Sequence, residues 1–230
     1  MLTEYEIQLL KNNYWFSQLD SNLQNLMIGY ARIQHYEKEQ IIFSSADQFD
    51  GIYAVIEGSI RLAHIDVEGR EAVAVIADPI MWFGEISLID QQPRSHHAIA
   101  AKKSKLICIN TVDLNQIFKQ HPEFWFHIAQ LVSQKLRYAF LELTSIQTQS
   151  LTQRLAQRLL FILQGYGNHL EIETLSIHLS QEQLAQMLVC SRQTINQELQ
   201  LLEKMGVIKI AFKKIEIIQL ELLKKIADQS

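Results

Sequence analysis

Residues 180–206 constrain the fold most strongly, because they combine two short helical patterns with a tight break between them. Ser180, followed three residues later by Gln183, is a capping-box pattern typical of a helix N-terminus. Ser191 can cap a second helix after the break. Apolar residues recur at helical spacing in both segments: Leu184, Met187 and Leu188, then Ile195, Leu199 and Leu202. The stretch therefore predicts two short helices that pack together.

The outer face of the second helix carries side chains suited to contacts with base edges: Arg192, Gln193, Asn196 and Gln197. Arginine pairs with guanine, and asparagine or glutamine with adenine. This pattern predicts a helix-turn-helix whose second helix enters the major groove. On this stretch alone, an ordinary helical hairpin with a polar outer face explains the pattern equally well.

Short β-branched segments in the N-terminal half predict an antiparallel barrel or roll. They begin near residue 40 and are separated by turn residues such as Glu57-Gly58 and Glu68-Gly69. Two short helices are predicted before them, at 3–11 and 20–31. The strand segments are QIIFSS, GIYAVIEGSIRLAHID, EAVAVIAD, HHAIAAK and KLICIN.

A helical region from about 111 to 148 carries an apolar stripe, which we call the seam. Its members alternate at spacings of three and four residues: Ala129, Val132, Leu136, Ala139, Leu143 and Ile146. A helix packed on its own domain would show apolar spacing too, but alternation over nearly three heptads favours a partner helix, most simply in a homodimer. A polar hinge is predicted at 145–150 and an amphipathic helix at 151–163. After the helix-turn-helix, a β-hairpin with a basic tip at Lys213-Lys214 precedes a terminal helix.

Composition is that of an ordinary folded protein, with 48% hydrophobic and 20% charged residues in 230. The sequence has no apolar run long enough to cross a bilayer, and its N-terminus is acidic where a secretory signal is basic, so we expect a cytoplasmic protein without a membrane partner. Residues 1–150 carry 12 Lys/Arg and 17 Asp/Glu, a net charge of −5, whereas residues 151–230 carry 9 and 8, a net charge of +1. This asymmetry favours the C-terminal part as the DNA-facing one.

Several chemical classes are not expected. Cys108 and Cys190 are isolated, which excludes a disulfide framework and a four-thiolate cluster. The histidines show no metal-ligand spacing, so neither a metal nor haem is expected. The sequence contains no P-loop, Gly-x-Ser-x-Gly or His-Glu-x-x-His motif, so the chain is not expected to be an enzyme.

Residues 83–95, FGEISLIDQQPRS, combine the features of an anion site. Gly84 allows close backbone approach, and residues 86–89 can form a helical turn whose N–H groups face an anion. Arg94 offers a bidentate clamp for phosphate, and Glu85 can accept a hydrogen bond from a sugar hydroxyl. This stretch, called the cassette below, would hold a ribose phosphate inside a small barrel. An internal ion pair between Glu85 and Arg94 is the alternative.

On these segments the chain resembles the Crp/Fnr family of bacterial transcription regulators. The resemblance covers YAVIEGSIRL and DVEGREAVAVIADPIMWFGEISLI in the roll, the seam helix, LTQRLAQRLL and CSRQTINQELQLLEKMGVIKI. It implies an α+β chain: an N-terminal antiparallel β-roll of the cyclic-nucleotide-binding jelly-roll type (1–120), a long dimerisation helix with its hinge (121–148) and a C-terminal winged helix-turn-helix (149–230). It also implies a homodimer on a two-fold related site in double-stranded DNA, with RNA polymerase as a further partner if the protein activates transcription.

The resemblance also assigns roles to single residues. In cyclic-nucleotide sensors, the residue matching Glu85 receives the ribose 2′-hydroxyl, and those matching Arg94 and Ser95 hold the cyclic phosphate. Arg192 matches the family's guanine-reading arginine, while Ser191 and Thr194 match phosphate contacts. The expected effector-binding residues are Gly84, Glu85, Ile86, Ser87, Arg94, Ser95 and Ala139. The expected DNA-binding residues are Ser180, Ser191, Arg192, Gln193, Thr194, Asn196 and Gln197.

Departures from the family pattern leave two questions open. Gln193 and Gln197 stand where relatives carry Glu and Arg, so the preferred half-site should differ. Val189 occupies a turn position usually held by glycine, and a β-branched residue tolerates positive φ poorly, so a strained or rearranged turn is expected.

The effector end of the site departs further. Ala139 and Phe140 replace the Thr–Ser pair that touches adenine in cyclic-AMP responders, and His96 and His97 follow Ser95 where small and β-branched residues are common. Three alternatives therefore stand for the effector: a cyclic nucleotide (cyclic AMP or cyclic GMP), another small molecule, or none at all. A cyclic-nucleotide-binding module that acts on a protein partner without DNA is a further one.

Overall fold

The computed structural model describes residues 1–169, 175–212 and 214–228. It forms two compact units. The first unit comprises residues 1–135 and the described residues 167–169, and the second comprises residues 136–166 and the described residues from 175 onwards.

The first unit contains two four-stranded antiparallel sheets and short helices. Its elements are α1 (Glu4–Lys11), α2 (Tyr14–Ser17), α3 (Ser21–Tyr30), β1 (Arg32–Tyr36), β2 (Ile41–Phe43), β3 (Gly51–Glu57), β4 (Ile60–Ile65), β5 (Glu71–Ala77), β6 (Trp82–Phe83), α4 (Glu85–Asp90), β7 (His97–Ala100), β8 (Ser104–Asn110) and α5 (Thr111–Gln120). The sheets have the strand orders β1-β8-β3-β6 and β2-β7-β4-β5. The predicted roll is therefore confirmed, while α2, β1 and β6 were not predicted.

Strand β3 explains how this unit builds its core. All its residues except Glu57 are buried, so both faces of the strand are covered. Ile52, Ala54 and Ile56 pack in the same cluster as side chains of α1, α2, α3 and α5. Tyr53 points the other way and contacts Phe43 of the second sheet at a ring distance of 5.9 Å. The alternation of a pleated strand thus separates a helix-covered core from an aromatic interior between the sheets.

Helix α6 (Phe124–Thr148) supplies residues to both units and carries two apolar stripes. The seam is solvent-exposed at Leu136 (53%), Leu143 (56%) and Ile146 (56%). A second stripe at the same three–four spacing is buried or half-buried: Phe124, Ile128, Leu131, Lys135, Tyr138, Glu142 and Ser145. We call this second set the inward stripe. The predicted helix is confirmed, but only the seam had been recognised from the sequence.

The predicted hinge at 145–150 is wrong in extent. Helix α6 continues through Thr148, and Ser150 already caps α7 (Leu151–Leu163) with a capping box completed by Gln153. Only two residues separate the helices, because the polar side chains at 145–148 are compatible with helical structure. The predicted domain boundaries stay predictions.

Apart from β9, which was not predicted, the rest of the second unit follows the expected order. Its elements are β9 (Ser176–Ile177), α8 (Gln181–Leu188), α9 (Arg192–Lys204), β10 (Ile208–Ala211), β11 (Lys214–Ile217) and α10 (Leu220–Ala227). The three strands form an antiparallel sheet of order β10-β11-β9 behind the helix pair. The predicted hairpin and terminal helix are confirmed, although Lys213 of the predicted basic tip lies outside the described residues. Across the described parts of the chain, the helices are too short or too polar to span a bilayer.

Candidate effector site and nucleic-acid interface

Arg94 is the most firmly held side chain of the cassette. It is 3% exposed, and its Nη1 donates to the Gly84 carbonyl at 2.9 Å. Its Nη2 donates to the Gly51 carbonyl at 2.6 Å and to Asp50 Oδ1 at 2.5 Å. The guanidinium also lies over the Phe43 ring, with Cζ 4.2 Å from the ring centroid, a favourable cation–π distance. Arg94 is thus fixed in place, and its Nε is buried without a hydrogen-bond partner.

Gly84 is required for this arrangement. It precedes α4 with a φ of 95°, in the left-handed region that glycine adopts without strain. A Cβ at this position would lie 2.9 Å from Arg94 Nη1 and 3.2 Å from the Gly51 carbonyl oxygen. We expected that Gly84 would let another group approach its backbone closely. In the structure the group that does so is the guanidinium of Arg94, in the same cassette.

Glu85 is 2% exposed and pairs with Lys135 of α6. Lys135 Nζ donates to Glu85 Oε2 at 2.7 Å and to the Trp82 carbonyl at 2.8 Å. The alternative of an internal Glu85–Arg94 ion pair is therefore wrong, because each residue has another partner of opposite charge. Sequence reasoning missed both partners, Asp50 and Lys135. The signal for Lys135 was its place in the inward stripe, where a buried charge needs a counter-charge.

The other predicted effector residues occupy different environments. Ser87 is buried, Ile86 is 39% exposed and Ser95 is exposed. Ser95 Oγ lies 2.9 Å from Nδ1 of His96. The structure therefore brings Gly84, Glu85 and Arg94 into one cluster with His96 close by, while Ala139 belongs to the second unit, on the exposed side of α6.

His96 was not predicted as a site residue, but its environment is unusual. Its ring packs edge-on against Phe43 at 5.8 Å, and its Nε2 is buried without a hydrogen-bond partner. Burial lowers the pKa of His96 to about 4, with Glu85 opposing the shift and Lys135 adding to it. The imidazole is therefore neutral at pH 7, with one nitrogen donating and the other accepting.

The helix pair of the second unit has the expected capping. Ser180 Oγ accepts from the Gln183 N–H and the Gln183 side chain accepts from the Ser180 N–H, which forms a capping box. Ser191 Oγ accepts from the Thr194 N–H at 3.0 Å and lies 2.8 Å from Thr194 Oγ1. The apolar positions of both helices are buried: Leu184, Met187, Leu188, Ile195, Leu199 and Leu202.

The outer face of α9 presents the predicted polar residues. Arg192, Gln193 and Gln197 are exposed, whereas Thr194 and Asn196 are half-buried. Asn196 Oδ1 accepts from Gln181 Nε2 at 3.0 Å, which holds the amide in one orientation. The arrangement can present one guanidinium and several carboxamide groups to the hydrogen-bond donors and acceptors on base edges in the major groove of DNA.

The turn between the helices is left-handed at Val189, with φ 54° and ψ 52°. The sequence left a strained and a rearranged turn as alternatives, and the positive φ of Val189 shows the strained one. Val189 is 83% exposed, so packing does not compensate for the strained backbone there.

One cluster of potential metal ligands lies on the first unit, although sequence spacing predicted none. Ligand atoms of Asp20, His121 and Glu123 lie within 4.8 Å of one another. Each has a structural partner: Asp20 caps α3, and His121 Nδ1 bonds to Glu123 Oε1 at 2.8 Å. Hydrogen bonding to the Leu23 N–H lowers the pKa of Asp20. These contacts give the three side chains structural roles at the start of α3 and before α6.

Both halves of the chain match known family models. Residues 33–121 match the cyclic nucleotide-binding domain, and residues 153–226 match the Crp-like helix-turn-helix domain. The first match contains the cassette, and the second contains α8, α9 and the small sheet.

Relatives of known name agree with both matches. The chain is 28% identical over 219 residues to the cyclic AMP receptor protein of Thermus thermophilus, covering 95% of this chain and 98% of that one. It is 25% identical over 183 residues to a CRP-like cAMP-activated global transcriptional regulator of Mycobacterium tuberculosis, covering 79% and 82%. A solved CRP/FNR-family transcriptional regulator from Thermus thermophilus superposes with a TM-score of 0.65 at 26% identity, covering 86% of this chain and 99% of that one. These names are those of regulators, not of enzymes.

Proposed function

We propose a mechanism that starts from one premise, namely that this chain belongs to the Crp/Fnr family of DNA-binding transcription regulators. A homodimer places two copies of α9 in successive major grooves of a two-fold related site. A cyclic nucleotide bound at the cassette raises or lowers the affinity of that dimer for DNA. A regulator of this kind works in the compartment that holds the DNA, needs no catalytic residue, and contacts RNA polymerase if it activates transcription.

The observation that carries DNA binding is the exposed polar face of α9 on a rigid helix pair. Arg192 and Gln193 lie in its first turn, where a recognition helix contacts bases. Ser191, at the N-cap, places its hydroxyl and the neighbouring N–H groups where a phosphate can be bound. Gln197 lies one turn further on, and its carboxamide suits an adenine.

Dimer formation is supported by the seam. Leu136, Leu143 and Ile146 are each more than half exposed on one side of α6. A row of exposed apolar side chains at three–four spacing is the pattern of a coiled-coil seam, and a second helix that covers it removes apolar surface from water. A second copy of the same helix supplies the same stripe and a two-fold axis, which matches the symmetry of the proposed DNA site.

Effector control is supported by the cassette. Arg94 provides a buried cation with an unpartnered Nε, and Glu85 provides a buried carboxylate. A ribose cyclic phosphate needs both, a cation for its charge and an acceptor for its hydroxyl. The relatives named for cyclic AMP favour that nucleotide as the effector.

The DNA-binding proposal is tested on Arg192. Fluorescence anisotropy with the best site selected from a random DNA library should show that Arg192→Ala loses about 1–3 kcal/mol and discriminates less at one base pair. Gln200→Ala, an exposed change on the same helix outside the predicted contacts, is the matched control. Affinity should fall steeply with salt for all three proteins. Unchanged sequence preference in Arg192→Ala would contradict the assigned role.

The effector proposal is tested by calorimetry with cyclic AMP and cyclic GMP. Wild-type protein should bind at least one of them, and Glu85→Gln should bind it more weakly because a neutral amide accepts the ribose hydroxyl less strongly. Arg70→Ala is the control, since Arg70 is an exposed arginine of the same unit. Binding of neither nucleotide would refute cyclic-nucleotide control and leave the DNA-binding role intact. By linkage, if the effector changes the affinity of the protein for DNA by some factor, DNA must change the affinity of the protein for the effector by the same factor.

A further inference from the structure

The roll contains two unpartnered polar atoms around one aromatic ring. Arg94 Nε and His96 Nε2 are both buried and without hydrogen-bond partners. Both side chains contact Phe43: the guanidinium lies over the ring at 4.2 Å, and the imidazole meets it edge-on at 5.8 Å. A buried polar atom without a partner costs about 1–3 kcal/mol, so two such atoms on side chains that contact one ring require an explanation.

The remaining donors of Arg94 are already occupied. Its Nη2 uses both N–H groups, on the Gly51 carbonyl and Asp50, and its Nη1 uses one, on the Gly84 carbonyl, which leaves Nε–H and one N–H of Nη1. Each bidentate edge of a guanidinium includes Nη2, so Arg94 alone cannot offer an anion the bidentate pair expected from the sequence. A second donor is needed to orient a phosphate at this position.

We propose that His96 is this second donor, with its Nε2–H binding a phosphate oxygen of the nucleotide beside Arg94 Nε–H. Ser95 Oγ lies 2.9 Å from Nδ1 of His96, and a serine hydroxyl that donates to Nδ1 leaves the ring proton on Nε2, which is the tautomer this role requires. Phe43 holds the ring plane. The inference rests on the proposed effector function and adds the residue that reads the phosphate.

The charges around His96 are consistent with this role. The groups that act on it are Glu85, Lys135, Arg94 and His97. Because the imidazole is neutral, it adds a hydrogen bond at the phosphate without placing a second full cation against Arg94. The phosphate is common to all cyclic nucleotides, so His96 should contribute equally to each of them.

The test is calorimetry of the full chain with cyclic AMP and cyclic GMP. His96→Phe keeps an aromatic ring against Phe43 and removes the donor, and we expect it to weaken binding of both nucleotides by roughly 10- to 100-fold. His96→Gln retains an N–H donor and should recover part of the loss. His64→Phe, which changes an exposed histidine on β4 of the same unit, should bind like wild type.

A second readout separates ligand contact from a structural role. In the protein with ¹⁵N-labelled histidine, the Nε2 resonance of His96 should be that of a protonated nitrogen and should shift when nucleotide is added. If wild type binds and His96→Phe binds with equal affinity, the inference is overturned and effector control stands. A loss confined to one nucleotide would assign His96 to the base and also overturn it. If wild type binds neither nucleotide, both proposals are overturned.

Discussion

Breaking the ion pair between Arg158 and Glu142 from one side should destabilise the second unit by about 2–3 kcal/mol. Arg158 Nη2 lies 2.5 Å from Glu142 Oε2 on α6, and the side chains are 7% and 28% exposed. Arg158 also donates to the Met187 carbonyl near the end of α8 and to the Tyr166 hydroxyl, both at 3.3 Å. Burial raises the pKa of Glu142, and the charge of Arg158 opposes that rise. One arginine on α7 thus connects α6 and α8.

Three variants measure this contribution. Breaking a buried pair from one side costs about 3–5 kcal/mol, and the partial exposure of Glu142 places Arg158→Met near the lower end, at about 2–3 kcal/mol. We expect a similar cost for Glu142→Leu, which removes one carboxylate partner of the buried guanidinium. The double variant replaces the pair by apolar side chains of similar volume and should cost only about 1–2 kcal/mol. The coupling energy should therefore be roughly 3 kcal/mol.

Urea unfolding provides the assay. All three tryptophans, Trp15, Trp82 and Trp125, lie in the first unit, so their fluorescence reports on that unit and far-ultraviolet circular dichroism reports on both. Each single variant should move the dichroism midpoint down by about 1 M or more, since slopes are about 1–3 kcal/mol/M. Costs that simply add in the double variant would refute the reasoning, because two independent side chains show no coupling.

Three further predictions concern the turn, the seam and the roll. Val189→Gly should stabilise the second unit by about 1 kcal/mol in the same assay because it relieves a left-handed β-branched residue, and Val189→Ala should gain less. Leu143→Glu should convert the dimer to monomer in analytical ultracentrifugation, whereas Thr144→Glu, an exposed change outside the seam, should not. Because the folded-state pKa of His96 is about 4 and the unfolded value is about 6.5, the unfolded chain binds the proton first, and stability should fall by up to about 3 kcal/mol from pH 6.5 to 4. The loss of stability should be smaller in His96→Phe than in wild type. Equal losses in the two proteins would contradict the role assigned to His96.

Local patterns predicted most of the elements, because their determinants lie close in sequence. Caps such as Ser180 and Ser191, and the glycine at 84, specify backbone geometry within a few residues. The elements that were not predicted have weak local sequence signals. Strand β6 is two residues long and is defined only by its pairing with β3, and β1 has a mixed, half-exposed pattern and depends on its pairing with β8.

The chemistry of the cassette was predictable only in part. Its residue types were recognised, since Arg94 and Glu85 lie within one short segment. Their partners were not, because Asp50 and Lys135 are distant in sequence and nothing local distinguishes them from other charged residues. The bidentate phosphate clamp assigned to Arg94 therefore depends on a contact network that no spacing rule reveals.

Helix α6 shows where further sequence reasoning would have succeeded. Its two stripes interleave at the same three–four spacing, and only the exposed one is purely apolar. In the inward stripe, Ile128 and Leu131 are fully buried, so Lys135 and Glu142 at the following positions must be largely removed from water as well. A charge in that position is tolerated only with a counter-charge, so the stripe by itself predicts a buried partner for each of the two. The pattern requires one acidic and one basic partner, and the fold supplies Glu85 to Lys135 and Arg158 to Glu142.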